Sequence, residues 1–243
     1  VASAFDSRTL GLVAGIDLRP GTWLELSHER ADEDDVWYAG NGMDAVFADS
    51  ASTSVKWVQQ ALGAADEVEL TLYYSDVDHL MDNYTVRERN TQPAGMAAPS
   101  SSTTWGGRLL ATFLTRNSEW RAGVDYRAND RNADLYMDQG KDRDYDMLVA
   151  RMWPDAQQRQ AGLFAELDHR LNARDTLRLG LRLDQHDSRA EDASLSAGMM
   201  GSATPARLYQ QFYNTTDTRN DHLGLSAVLG WDRQIDPATL FSA

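Results

Sequence analysis

The segment EVELTLYYSDVDHLMD, residues 67–82, alternates apolar and polar side chains with a period of two. One alternating set is apolar and consists of Val68, Leu70, Leu72 and Tyr74. Successive side chains of a β-strand point to opposite faces of the sheet, so this pattern predicts a strand with one apolar face. The same stretch continues past the apolar set into His79 and Met81, which follow the phase of the polar set.

The same alternation recurs along the whole chain. Nine runs show it, at 9–18, 23–27, 54–57, 67–75, 105–115, 120–127, 163–168, 177–184 and 222–231, and a tenth strand begins near Thr239. With their flanks, these runs have roughly the 9–11 residues that a tilted strand needs to cross a bilayer. The sequence therefore predicts an all-β protein whose strands are long enough to span a membrane.

The connections between these runs alternate strictly between short turns and long polar loops. The predicted turns are 19–21, 63–66, 116–118, 171–175 and 232–237, and loops of about 25, 20, 30 and 30 residues begin near Glu29, Thr85, Ala128 and Ser188. Bacterial outer-membrane barrels have this asymmetry of tight periplasmic turns and long extracellular loops. We therefore expect an antiparallel transmembrane β-barrel segment of nine to ten strands. A bilayer tolerates no unpaired sheet edge, so the segment is expected to be an arc of a larger barrel.

A soluble β-sandwich is the alternative, because its strands also alternate and its loops are sometimes long. Aromatic residues at the predicted strand ends favour the barrel, in which such residues form interfacial girdles. They are Tyr74, Trp105, Trp120, Tyr126 and Trp231.

Composition narrows the possible functions. The net charge of -14 argues against binding to nucleic acid, whose phosphates require a basic surface. Mean hydropathy is -0.52 and no long apolar run is present, so no membrane-spanning helix is expected. The chain has no cysteine and no catalytic motif, so a thiolate site and an enzymatic activity are not expected. It opens at Val1 without a leader and closes inside a strand-like run, so we expect a piece of a longer protein.

The eight methionines all lie outside the predicted membrane-spanning parts of the strands. They are Met43, Met81, Met96, Met137, Met147, Met152, Met199 and Met200. Methionine usually fills cores, and its thioether is a soft ligand that selects soft metals such as Cu(I). These residues either gather copper or pack loops together. We expect His28, His169, His186 and His222 to be isolated and structural or solvated.

His79 and Met81 form the sharpest candidate site. A spacing of two in an extended strand places their side chains on one face, about 7 Å apart along the strand. The alternation of residues 67–82 directs both into the barrel lumen, above the bilayer. Imidazole and thioether together suit copper.

This segment resembles the corresponding strand of TonB-dependent copper receptors of the Gram-negative outer membrane. The resemblance rests on residues 73–84 and is supported by 38–44, 106–109, 137–141 and 164–167. It implies a plugged barrel of the 22-stranded transporter type. Residues 1–243 would then form part of that barrel, with the plug and the remaining strands outside the chain.

In that family, a Cys-x-x-x-Met pair of the plug and a His-x-Met pair of the barrel hold copper. His79 and Met81 match the second pair, whereas the first has no counterpart in a chain without cysteine. The resemblance thus implies copper as cargo, outer-membrane lipid as surroundings, and TonB as a partner reached through the missing N-terminal part. The alternatives are a receptor of the same fold for a siderophore or another organic ligand, and a soluble all-β binding domain.

Overall fold

A computed structural model of the chain describes residues 3–87, 94–196 and 204–243. Ten antiparallel strands form one sheet in which every strand pairs with its neighbours in chain order. The strands are β1 (Asp6–Arg19), β2 (Thr22–Val36), β3 (Asp44–Leu62), β4 (Ala65–Asp82), β5 (Gly95–Leu114), β6 (Ser118–Asp138), β7 (Met147–Arg170), β8 (Asp175–Ala190), β9 (Arg219–Asp236) and β10 (Thr239–Ser242). The predicted all-β antiparallel segment of nine to ten strands is confirmed.

Short turns join β1 to β2, β3 to β4, β5 to β6, β7 to β8 and β9 to β10 at one end of the sheet. The connection at 191–218 is the longest at the other end, and it carries a short 3₁₀ helix at Glu191–Ser194 and helix α1 at Pro205–Tyr213. In the described part of the chain, no helix has the length and apolar character needed to cross a membrane.

One face of the sheet, here called the outer face, is apolar from β1 to β9. A continuous row of directly paired residues crosses it: Ile16, Leu24, Trp57, Leu70, Leu109, Val124, Leu163, Leu183 and Leu225. Leu225 is 76% exposed and Leu163 is 57% exposed, so the described part of the chain leaves this face uncovered. The pattern is that of strands whose outer face contacts lipid.

The opposite, inner face is closely packed beside Gly106 on β5. A side chain there would approach the carbonyl oxygen of Tyr126 to 2.3 Å and the hydroxyl of Tyr73 to 2.5 Å. Glycine lets the ring of Tyr73 cross its neighbouring strand, and lets β5 and β6 approach each other.

The predicted loop lengths are wrong at three of the four long connections. The loops expected near Glu29 and Ala128 are mostly strand, because β2 runs to Val36 and β6 runs to Asp138. The connections that remain there are only 37–43 and 139–146, and the one expected near Thr85 is 83–94. Where strands of such a barrel extend beyond the bilayer, both faces of the hairpin contact water. Polar residues then occupy both faces, so the alternation of apolar and polar residues is lost although the backbones remain paired.

Candidate metal site

His79 and Met81 lie near the end of β4 that is remote from the short turns. They are separated by one residue in a regular strand, so both side chains emerge on the inner face. Each is half-buried. The two predicted ligands therefore share a face, as their spacing requires.

Small residues flank Met81 on both neighbouring strands. It lies opposite Ala45 on β3 and Ala98 on β5, and both alanines are buried. His79 similarly lies between Ala48 and Ser100. These short side chains leave space in front of the imidazole and the thioether.

Ser100 orients the ring of His79. Its hydroxyl lies 3.4 Å from Nδ1 and can donate to the His79 carbonyl oxygen, also at 3.4 Å. When the hydroxyl donates to the carbonyl, it accepts from Nδ1–H, and that tautomer leaves the Nε2 lone pair for a metal. Burial lowers the pKa of His79 below its ordinary value, which favours the neutral, metal-binding form.

Three further methionines form a cross-strand row next to this pair. Met96 on β5 lies directly opposite Met137 on β6, and Met137 lies directly opposite Met147 on β7. Directly paired residues share a face, and Met96 is two residues from Ala98, which faces Met81. Four thioethers and one imidazole thus lie on the inner face at the ends of four adjacent strands. We call Met96, Met137 and Met147 the methionine row.

The other methionines are more dispersed. Met43 lies in the connection that precedes β3, and Met152 lies on β7 with 45% of its surface exposed. Met199 and Met200 lie outside the described residues.

Three aspartates at the same strand ends are almost completely buried on the outer face. They are Asp44, Asp82 and Asp138, with exposures of 1%, 1% and 0%. Each directly follows a methionine in sequence, and at Met81-Asp82 and Met137-Asp138 the strand alternation directs the carboxylate to the face opposite the thioether. Sequence reasoning did not predict the burial of these aspartates, although the repeated Met-Asp dipeptide was a signal that could have drawn attention to them.

The residues that follow β4 satisfy two of these carboxylates. Asp82 accepts hydrogen bonds from the backbone N–H groups of Tyr84 (3.1 Å) and Thr85 (2.8 Å) and from the Thr85 hydroxyl. Asp44 accepts a 2.8 Å hydrogen bond from Nε of Arg87, whose guanidinium also lies 4.7 Å from the ring of Trp37.

Asp138 is held by Tyr84 and by the backbone of the following connection. The Tyr84 hydroxyl donates to it at 2.6 Å, and the N–H of Arg143 donates at 2.7 Å. Burial raises the pKa of Asp138, but these hydrogen bonds outweigh burial and hold the pKa below its usual value. Burial and the neighbouring carboxylate raise the pKa of Tyr84. The ionised aspartate and the neutral phenol therefore stabilise each other.

The prediction that the other four histidines are isolated is wrong for two of them. His28 and His169 hydrogen-bond to the hydroxyls of Thr53 and Ser118, at 2.9 and 2.8 Å, as structural residues do. The expectation that His186 and His222 are isolated is wrong, because their rings stack with centroids 4.7 Å apart. The two residues are far apart in sequence and meet only through the register of β8 and β9.

Within residues 3–87, 94–196 and 204–243, no three histidine, aspartate or glutamate side chains converge as metal ligands. The barrel surface therefore offers His79, Met81 and the methionine row, all of them neutral side chains, as the candidate ligands for a soft ion.

The family model described as "TonB dependent receptor-like, beta-barrel" matches residues 3–241. No curated protein matches the chain. Among solved structures, "Copper transporter OprC" is similar over 96% of this chain and 36% of its own, with 23% identity and a TM-score of 0.76. The FrpB iron transporter from Neisseria meningitidis (F3-3 variant) covers 98% of this chain and 36% of its own, with 11% identity and a TM-score of 0.64.

The siderophore receptor PiuA from Acinetobacter baumannii is also similar, with 13% identity and a TM-score of 0.61 over 96% of this chain and 40% of its own. The chain thus spans little more than a third of the length of these structures. At such identities the likeness establishes the shared fold.

Proposed function

This chain belongs to the TonB-dependent receptor β-barrel family, and from that premise we propose that it forms the copper-binding wall of a receptor that imports copper. The family resides in the outer membrane of Gram-negative bacteria, and so does this chain. Its apolar outer face then contacts lipid, and its inner face lines the lumen.

The observation that carries the proposal is the shared inner face of His79, Met81 and the methionine row. Thioethers select Cu(I), and imidazole binds copper in either oxidation state. Adjacent strands are about 4.8 Å apart, so the three residues of the row lie within reach of one another. Such a surface suits a soft cation much better than a hard one.

Two ligands from the barrel leave the coordination of a bound copper ion incomplete. We propose that the remaining ligands come from a plug domain elsewhere in the full receptor, and that residues 1–243 supply only part of its barrel. Uptake then requires TonB, which acts through a part of the receptor outside this chain. Copper is the transported substrate in this proposal and not a resident cofactor.

A siderophore or another organic iron ligand is the second candidate. The FrpB iron transporter and the siderophore receptor PiuA both have this fold, with TM-scores of 0.64 and 0.61. An organic ligand would be recognised by aromatic and arginine side chains of the extracellular connections. Substitution of His79 and Met81 would then leave uptake unchanged.

The test is the copper content of the complete receptor, purified in detergent after copper exposure. We expect the His79→Ala/Met81→Ala variant to hold one equivalent of copper fewer than the wild type. The matched control is His28→Ala/Met152→Ala, which removes one imidazole and one thioether away from the site and should retain copper. Equal copper content in the wild type and the site variant, or none in either, would overturn the copper proposal and favour the organic ligand.

A further inference from the structure

The stacked histidines lie directly opposite each other on neighbouring strands. His186 on β8 pairs with His222 on β9, and the planes of the two rings are only 12° apart. Directly opposed residues have Cβ atoms about 4.5–5.5 Å apart, so the register of β8 and β9 brings the two imidazoles within contact distance.

This pair belongs to the inner face. A row of directly paired residues leads to it from β4 and consists of Tyr73, Gly106, Arg127, Gln160, His186 and His222. Tyr73 is six residues from His79 on the same regular strand, so the histidine pair and His79 face the same side. The pair is therefore directed into the lumen and away from lipid.

A polar pocket of about 240 Å³ lies in front of the rings. Amide and hydroxyl side chains surround the pair there, namely those of Asn129, Gln158, Gln160, Ser188 and Asn220. Several of these groups are already engaged: Gln160 donates to Asp184 at 3.0 Å, and Asn129 donates to Ser102 at 2.9 Å. The two imidazoles are thus the natural metal ligands of this pocket.

The separation of the two rings is short enough for both imidazoles to bind one ion. Imidazole nitrogens bind transition metals at about 2.0 Å, so two of them at a right angle lie about 2.9 Å apart. Stacked rings direct their nitrogen lone pairs in nearly parallel directions, so rings with centroids 4.7 Å apart converge on one ion after each ring rotates about its side-chain torsions. No backbone movement is required.

The charges near the pair allow a cation to approach. Arg127, Arg159 and Asp187 also line the pocket; the backbone of Arg127 is two strands, about 10 Å, from that of His186, and Arg159 is paired with Asp130 at 2.8 Å. Asp184 lies on the same face two residues before His186 and is paired with Arg182 at 2.6 Å. The chain as a whole carries a net charge of -14, which attracts cations to the lumen.

We propose that His186 and His222 form a second metal site on the lumen wall, which binds borderline divalent ions and Cu²⁺ most strongly. Among the described residues, no thioether lines the pocket, so the soft preference expected at His79 and Met81 is absent here. Among divalent first-row ions, nitrogen ligands bind Cu²⁺ most tightly. This site does not depend on the assignment of copper to His79 and Met81.

The experiment uses the complete receptor carrying His79→Ala/Met81→Ala, so that the first site cannot contribute. Cu²⁺ is titrated and followed by electron paramagnetic resonance, with binding of one equivalent and hyperfine coupling from two nitrogens as the expected result. Removal of a partner outside the first coordination shell already costs about 10- to 100-fold in affinity, so His186→Ala or His222→Ala should weaken binding at least tenfold.

The control is His28→Ala in the same background, which should bind Cu²⁺ as before. His222→Asn keeps a polar side chain of similar size and, with an unchanged β-sheet circular dichroism spectrum, should lose the metal as His222→Ala does. Absence of Cu²⁺ binding in the background protein, or binding that survives His186→Ala, would overturn the second site. A pocket that binds phosphate but no Cu²⁺ would overturn it too. Failure of copper binding at His79 and Met81 bears only on the first proposal.

Discussion

Tyr84 donates a hydrogen bond of 2.6 Å to Asp138 and thereby joins the segment that follows β4 to the end of β6. The ring of Tyr84 lies against Gly95, where any side chain would meet it at 2.2 Å. Three strand ends are therefore held together on the outer face. The proposed ligands on the inner face of the same strand ends are held at fixed spacing as a result.

Replacement of Tyr84 by phenylalanine tests this linkage. The substitution leaves a buried carboxylate with one partner fewer, at a cost of about 1–3 kcal/mol. We expect faster hydrogen exchange at the backbone amides of Tyr84 and Met96, measured by mass spectrometry on the full receptor. Tyr209→Phe, on the exposed helix α1, should leave these amides unchanged. Equal exchange in Tyr84→Phe and the wild type would contradict the linkage.

The hydrogen-bonded pair of Tyr84 and Asp138 also predicts that local stability depends on pH. The pKa of Asp138 is lowered in the folded state, so its contribution is present above the ordinary value near 4 and is lost as the pH falls through the folded value. The pKa of Tyr84 is raised, so its contribution is present below about pH 10 and is lost at higher pH.

Amide protection of the segment after β4 should therefore be constant between about pH 5 and 9 and fall outside that window. The protection is obtained from exchange rates corrected for the intrinsic effect of pH. Tyr84→Phe should abolish the alkaline fall and keep the acid one. A continuous decline through neutral pH in the wild type would contradict the assignment.

Substitution at Gly106 should impair assembly of the barrel. Gly106→Ala forces the new methyl group against the Tyr126 carbonyl and the ring of Tyr73, and overpacking of this kind costs about 1–3 kcal/mol. We expect a lower denaturation midpoint in guanidinium for the detergent-solubilised receptor. Gly11→Ala is the matched control, since no atom of the residues that the structure describes lies within 4 Å of the added carbon. A midpoint that falls equally in both variants would argue against the close approach.

Substitution in the methionine row should weaken the binding of soft metal ions. Met137→Leu preserves volume but removes the central thioether between Met96 and Met147. With Ag⁺ as a stable probe for a soft ion, we expect the number of bound ions or their affinity to fall, while His79 and Met81 still bind. Met152→Leu should have no effect. Unchanged Ag⁺ binding in Met137→Leu would show that the methionine row contributes to packing and does not bind soft ions.

The membrane-spanning part of the sheet was predictable from sequence because lipid imposes a strict requirement on it. Each residue of the row from Ile16 to Leu225 is apolar, and the alternation around it is visible without any structure. The extracellular extensions of β2 and β6 carry no such requirement. Their polar residues on both faces were therefore interpreted as loops.

Part of the candidate site was likewise predictable from sequence, and part of it was not. His79 and Met81 are neighbours within one strand, so their shared face follows from spacing alone. The methionine row and the pair of His186 with His222 depend on register between strands, which a single sequence does not specify when both partners are polar or flexible. The burial of Asp138 depends in addition on the course of the segment after β4.

The alternation of thioether and carboxylate also restricts how these strand ends can change in evolution. Insertion or deletion of one residue before Met81 would exchange the faces on which Met81 and Asp82 lie. The carboxylate would then face the lumen, and the thioether would face the connection that covers the outer face. Length changes in these hairpins should therefore be tolerated in steps of two, or within the connections beyond the Met-Asp pairs. Among homologous sequences, the parity of the spacing should be preserved more faithfully than the spacing itself.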